Sequence, residues 1–223
     1  MDTRRSDVER EKVHGRVQMK NELERRGDNA VNELVKKGAS ALDLLRNQVV
    51  AEANIQEALV LLIDCSWSMD APAGSGSYES RIEAAKKAAS ALINSSQSSH
   101  IGIVAFSNGA DLVTRVADRN VAAMSVNRLS VSGQTEMMKG LEVSYNELDV
   151  VDASYGVKRV ILLTDGHPTS CTIDELIPIV KEAKDKKNYI LDTVGFGDNA
   201  DIDGLKRLAT AGGGVYVEAK DSE

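Results

Sequence analysis

Ala58-Leu-Val-Leu-Leu-Ile-Asp64-Cys-Ser66-Trp-Ser68 is the stretch on which the reading of the chain turns. Six apolar residues run without interruption and stop at a carboxylate followed by two hydroxyls. A run of that length is far short of the roughly 18 residues a membrane span needs. It suits a parallel strand covered on both faces. Other runs recur at residues 101–106, 112–116, 160–163, 190–194 and 215–217. The run at 112–116 interleaves Thr114 and Arg115 and follows 101–106 across Ser107-Asn108-Gly109, so it predicts an antiparallel edge strand closing a hairpin.

Between the runs the apolar spacing changes to that of helices. Ile82, Ala85, Ala89 and Leu92 share one face, as do Met137, Leu141, Tyr145 and Leu148. Thr172-Ile-Asp-Glu175 reads as a capping box that starts a third helix, and Leu205 with Leu208 marks a fourth. Strands alternating with helices, plus one hairpin, predict an α/β fold. The expected form is a Rossmann-like, doubly wound, mostly parallel six-stranded sheet with one antiparallel edge strand and helices on both faces.

The first 54 residues differ in character. Val31, Leu34, Val35, Leu42, Leu45 and Val49 recur at helical spacing, Gly38 interrupts them, and Ser40-Ala-Leu-Asp43 restarts them. Residues 1–50 hold 11 basic and 9 acidic side chains, leaving 16 and 25 for the remainder. The expected organisation is therefore a helical extension over 1–54 and an α/β domain over 55–223. A net charge of −7 argues against a nucleic-acid partner. Two cysteines, Cys65 and Cys171, exclude a disulfide scaffold, and Cys65 reads as a small buried hydrophobe. The polar start, with Asp2, Arg4, Arg5 and Asp7, does not resemble a signal peptide, so the expected location is cytoplasmic, with no membrane contact.

In an open α/β sheet the ligand site lies beyond the carboxyl ends of the strands. Asp64, Ser66 and Ser68 follow the first strand, Asp165 ends the fourth, and Thr135 precedes the helix that begins near Met137. Three hydroxyls and two carboxylates, without His or Cys, suit a hard octahedral cation, Mg²⁺ or Mn²⁺. The alternative for these residues is a set of satisfied polar groups capping loops. His167 beside Asp165 reads as a loop histidine rather than a ligand.

Asp64-x-Ser66-x-Ser68, the distant Thr135 and then Asp165 resemble the metal-ion-dependent adhesion site of von Willebrand factor A domains, over about residues 57 to 219. The resemblance implies that Ser66 and Ser68 ligate the ion directly and that Thr135 does so directly or through water. Asp64 and Asp165 then act largely through waters and hydrogen bonds. It also implies a protein–protein interaction module in which the ion accepts a Glu or Asp carboxylate from a partner, and microbial adaptors of this kind often stand beside AAA+ ATPases or in stress-response complexes. Trp67 stands where many members have Gly; it reads as a packed loop residue, the alternative being an indole at the rim that shapes the partner surface. The family usually closes with a helix after its last strand; residues 218–223 are too few for one, and the helix at 41–54 is expected to cover the sheet face left open. Two other readings stand beside this one, a Mg²⁺-dependent phosphohydrolase and a metal-free structural module. Phosphohydrolases with an aspartyl nucleophile need a second acid where Ser66 stands. No Gly-rich phosphate loop and no nucleophile elbow occur in the chain. The expectation is therefore binding, not catalysis.

Overall fold

Continuous apolar sequence becomes continuous burial: all eight residues of Glu57–Asp64 (β1) are buried, as a strand flanked by two others and covered on both faces must be. The structure, a computed structural model, describes residues 56–95, 99–117 and 119–219. The helices expected within the extension, and the cover expected from residues 41–54, lie outside these residues.

Five more strands follow: β2 (Ser99–Phe106), β3 (Ala110–Ala117), β4 (Val157–Thr164), β5 (Ile190–Phe196) and β6 (Gly213–Ala219). Their order across the sheet is β3-β2-β1-β4-β5-β6, with every pairing parallel except β2 with β3. This is the fold expected from the sequence, antiparallel edge included. The hairpin turns where the Ser107 N–H donates to the Gly109 carbonyl.

The helices are α1 (Arg81–Ser95), α2 (Arg119–Val126), α3 (Met137–Val150), α4 (Ile173–Lys187) and α5 (Ile202–Ala211). Met137, Leu141, Tyr145 and Leu148 of α3 join Leu176 and Val180 of α4 and Leu205 of α5 in one core with Val60, Leu62, Val104 and Leu162. Alternation sends Leu59, Leu61 and Ile63 to the opposite face, on the side of α1. The capping box at α4 closes as its sequence predicts: Thr172 Oγ1 accepts from the Glu175 N–H, and the Glu175 carboxylate accepts from the Thr172 N–H. Helix α2 was not anticipated. It has eight residues and only Ala122 and Val126 buried, too short a record for a helical period to show.

One ionic cluster is built into the sheet. Arg159 on β4 pairs with Asp192 on β5 and with Glu57 on β1, the latter at 2.9 Å. Asp192 also accepts from the Val215 N–H at 2.8 Å, so its carboxylate takes up a ladder donor where the β5–β6 register shifts. Among the described residues, no helix is long and apolar enough to cross a membrane.

Candidate functional site

β1 and β4 are neighbours at the centre of the sheet, and the chain leaves them in opposite directions, toward β2 and toward β5. That divergence opens a crevice at their carboxyl ends, where an α/β sheet places its ligand. All five residues singled out from the sequence gather there.

Asp64, the last residue of β1, is fully buried, and both of its oxygens are engaged. Oδ1 accepts from the Ser66 N–H at 2.8 Å, and Oδ2 accepts from Thr164 Oγ1 at 2.5 Å. The Thr164 hydroxyl in turn accepts from the Gly166 N–H, which fixes the turn that carries Asp165. Burial pushes the Asp64 carboxyl up to about 6; its hydrogen bonds to Ser66 and Thr164 oppose that rise, and the charge of Asp165 adds to it.

Ser66 is buried at the floor, Ser68 is exposed, and their Oγ atoms lie 3.0 Å apart. A single 3-10 turn over Trp67–Asp70 separates their exposures and turns Trp67 outward, 71% exposed. Thr135 arrives from the other side on the loop before α3. The Ser132 N–H donates to the Cys65 carbonyl, the Trp67 N–H to the Gly133 carbonyl, and the Thr135 N–H to Thr169 Oγ1. Gly133 holds φ +66, and a Cβ there would overlap the Asn108 side chain, which itself accepts from the Gln134 N–H at 2.8 Å.

The result is a pocket of about 470 Å³ into which Ser66, Ser68 and Thr135 open, with Trp67 and His167 at its rim. His167 Nε2 lies 2.8 Å from the Asn199 carbonyl, in keeping with a loop histidine tied to its own surroundings. Both cysteines are free, and Cys65 is buried as expected.

Asp165 is fully buried, and its two oxygens have different fates. Oδ2 accepts from Arg81 Nη1 at 2.9 Å. Oδ1 is buried without a hydrogen-bond partner. A buried carboxylate oxygen with no donor is costly, roughly 1–3 kcal/mol or more, and calls for a partner. Among the described residues, no group of three or more His, Cys, Asp or Glu side chains stands ready to hold a metal. A cation here would therefore depend on hydroxyls for much of its coordination. Three hydroxyls opening into the pocket, with buried carboxylates at the ends of the two strands that flank it, are the donor chemistry of a hard, oxygen-seeking ion such as Mg²⁺ or Mn²⁺.

Arg81 and Thr164 escaped the reading of the sequence. Arg81 reaches Asp165 across 84 positions and Thr164 reaches Asp64 across 100, so neither partnership leaves a local pattern. For Arg81 a signal did exist, since a cation in the first turn of a helix opposes the helix dipole and has to be held by something else.

A doubly wound sheet with the Ser66, Ser68 and Thr135 hydroxyls opening into the crevice at its topological switch point defines the class. Residues 58–223 match the von Willebrand factor type A domain family, and the chain belongs to it. No curated protein matches the chain. Among solved structures, a von Willebrand factor type A protein from Catenulispora acidiphila is 27% identical with a TM-score of 0.61, covering 75% of this chain and 39% of that one. An aerotolerance-related membrane protein from Bacteroides fragilis is 16% identical with a TM-score of 0.64, covering 74% and 92%. The PilB minor pilin from Streptococcus sanguinis is 17% identical with a TM-score of 0.62, covering 75% and 58%. At such identities the last two share the fold alone.

Proposed function

We propose that this chain is a protein-interaction module whose site holds Mg²⁺ or Mn²⁺ and, through it, a Glu or Asp carboxylate of a protein partner. The observation that carries this reading is Asp165 Oδ1, a buried carboxylate oxygen with no donor, on the residue that follows β4, the strand paired with the one that leads into Ser66 and Ser68. Ser66, Ser68 and Thr135 would hold the ion, with Asp64 and Asp165 behind them. When bound, the ion supplies a positive centre for an incoming anion. Asp64 orients the Ser66 backbone through its 2.8 Å hydrogen bond, and the Gly133 and Thr169 contacts keep Thr135 facing the pocket. Trp67 offers the partner an exposed indole on the same rim.

Asp64 as the nucleophile of a phosphohydrolase finds no support. It is fully buried and both oxygens already accept hydrogen bonds.

Thermal unfolding of the wild type and of Ser66→Ala/Ser68→Ala, in EDTA and in millimolar Mg²⁺ or Mn²⁺, tests the metal. An ion at about 100 times its Kd stabilises the folded state by roughly 2.7 kcal/mol. For a domain of this size that is a rise in Tm of about 5–10 °C. The wild type should shift and the double variant should not. Bound Mn²⁺ should also quench Trp67, the single tryptophan of the chain, with saturation and with reversal by excess Mg²⁺. Equal Tm values in EDTA and in both metals, together with unquenched Trp67, would overturn the reading.

A further inference from the structure

Arg81 is the first residue of α1, and its guanidinium lies inside the site, not at the surface. Nη1 donates to Asp165 Oδ2 at 2.9 Å and to the Ser68 carbonyl at 3.3 Å, so one group ties the end of β4 to the turn after β1. The Arg81 side chain is 12% exposed and that of Asp165 is fully buried. Space for the guanidinium is made by Gly197, after β5: the residue sits at φ +89, and a Cβ there would overlap Arg81 Nε. Nε itself is buried with no acceptor, so the side chain is held through Nη1, by Asp165 and the Ser68 carbonyl, and by the surrounding packing.

We infer that Arg81 is the site's built-in counter-cation: it neutralises Asp165 when no metal is present and opposes entry of the metal. The inference rests on the metal reading proposed above. The formal charges are simple. Asp64 and Asp165 with Arg81 sum to −1; a divalent ion brings the site to +1, and a partner carboxylate returns it to zero. Without Arg81 the loaded site would already be neutral and would gain less from an anion. Arg81 therefore makes the ion a weak ligand by itself and favours its binding together with the acidic partner. A fixed like charge in a largely buried site is screened little by water or salt, and about tenfold or more in the affinity of a divalent ion is the expected size of its effect.

Arg81→Gln, Arg81→Lys and the wild type are to be titrated with Mn²⁺ and with Mg²⁺, following Trp67 emission, and melted in EDTA and in saturating metal. Arg81→Gln should bind both ions at least tenfold more tightly than the wild type. In EDTA it should melt at a lower temperature, because Asp165 has lost its buried partner, and the metal-induced rise in Tm should be larger than in the wild type. Arg81→Lys keeps the charge and should stay within about threefold of wild-type affinity. Arg81→Met, also neutral and of similar bulk, gives the same comparison if the glutamine variant fails to fold. A purely structural arginine would instead lower Tm with and without metal and leave affinity unchanged or weaker. That result, with a metal-binding wild type, overturns the inference and leaves the proposed function standing. If neither the wild type nor the neutral variants bind either ion, the proposed function falls and the inference falls with it.

Discussion

Gly133→Ala isolates how the Thr135 loop is held. Gly133 sits at φ +66, in the left-handed region, and its carbonyl accepts from the Trp67 N–H at 3.0 Å. An alanine there has two separate costs. Holding an L-residue in that region costs roughly 1–2 kcal/mol. The new methyl also overlaps the Asn108 side chain, which must swing away and give up its 2.8 Å hydrogen bond from the Gln134 N–H. Losing one such bond costs about 1 kcal/mol. The expected total is about 2–3 kcal/mol.

A double-mutant cycle separates the two costs. Asn108→Ala alone should cost about 1 kcal/mol, the value of its one hydrogen bond. With the carboxamide already gone, Gly133→Ala should cost only the backbone strain, about 1–2 kcal/mol. Urea unfolding of the wild type, both single variants and the double variant, at constant slope, should therefore show a coupling of about 1 kcal/mol. Strict additivity would refute the steric argument. A Gly133→Ala cost below about 0.5 kcal/mol would refute the strain argument as well.

Two further perturbations reach into the sheet and the site. Arg159→Met leaves Asp192 and Glu57 buried without their arginine and should cost about 3–5 kcal/mol in urea unfolding; a loss under about 1 kcal/mol would mean the cluster is not the buried network described. For Asp64 the sign follows from a folded-state value raised from 3.8 to about 6. The native metal-free protein binds a proton more tightly than the unfolded chain, so this group's contribution is greatest below about 4 and is lost as pH rises through about 6. The loss amounts to about 3 kcal/mol at 1.36 kcal/mol per unit. In EDTA the wild type should therefore lose stability between pH 4 and 7 relative to Asp64→Asn, and a relative gain would contradict the assignment.

Much of this molecule could be read before it was seen, because the deciding features are local. A continuous apolar run such as 58–63 has one good use in an alternating α/β chain, and β1 proves to be buried at every position. The hairpin and the capping box at Thr172 are written within a few residues of each other and formed as written. Asp64, Ser66, Ser68, Thr135 and Asp165 could be placed at one end of the sheet because strand ends are local facts and topology does the rest. What stayed hidden is long-range. Thr164 is one more polar residue at a strand end until Asp64 is folded beside it, and Arg159 is one more surface cation until Asp192 and Glu57 flank it. Gly133 has a second reason to lack a side chain besides its positive φ, since Asn108 occupies the space a Cβ would take, a fact about the hairpin turn and not about the loop.

The site is divided between a floor and a rim, and the division explains which residues can change without cost to the fold. Asp64, Ser66 and Asp165 are buried, and the two carboxylates are tied to other elements, Asp64 to β4 through Thr164 and Asp165 to the start of α1 through Arg81. Altering Asp64 or Asp165 leaves a buried polar group without its partner, so on the proposed function stability and ion binding should change together. Ser68 and Trp67 are exposed, and the 3-10 turn that carries them is pinned by its backbone to Gly133 and, through the buried Met69, to the core. A side chain held by its backbone can be exchanged with little effect on folding. On the proposed function, recognition would fall where the fold is least affected, and a bulky indole can stand at position 67 while the buried oxygen set beneath it stays in place.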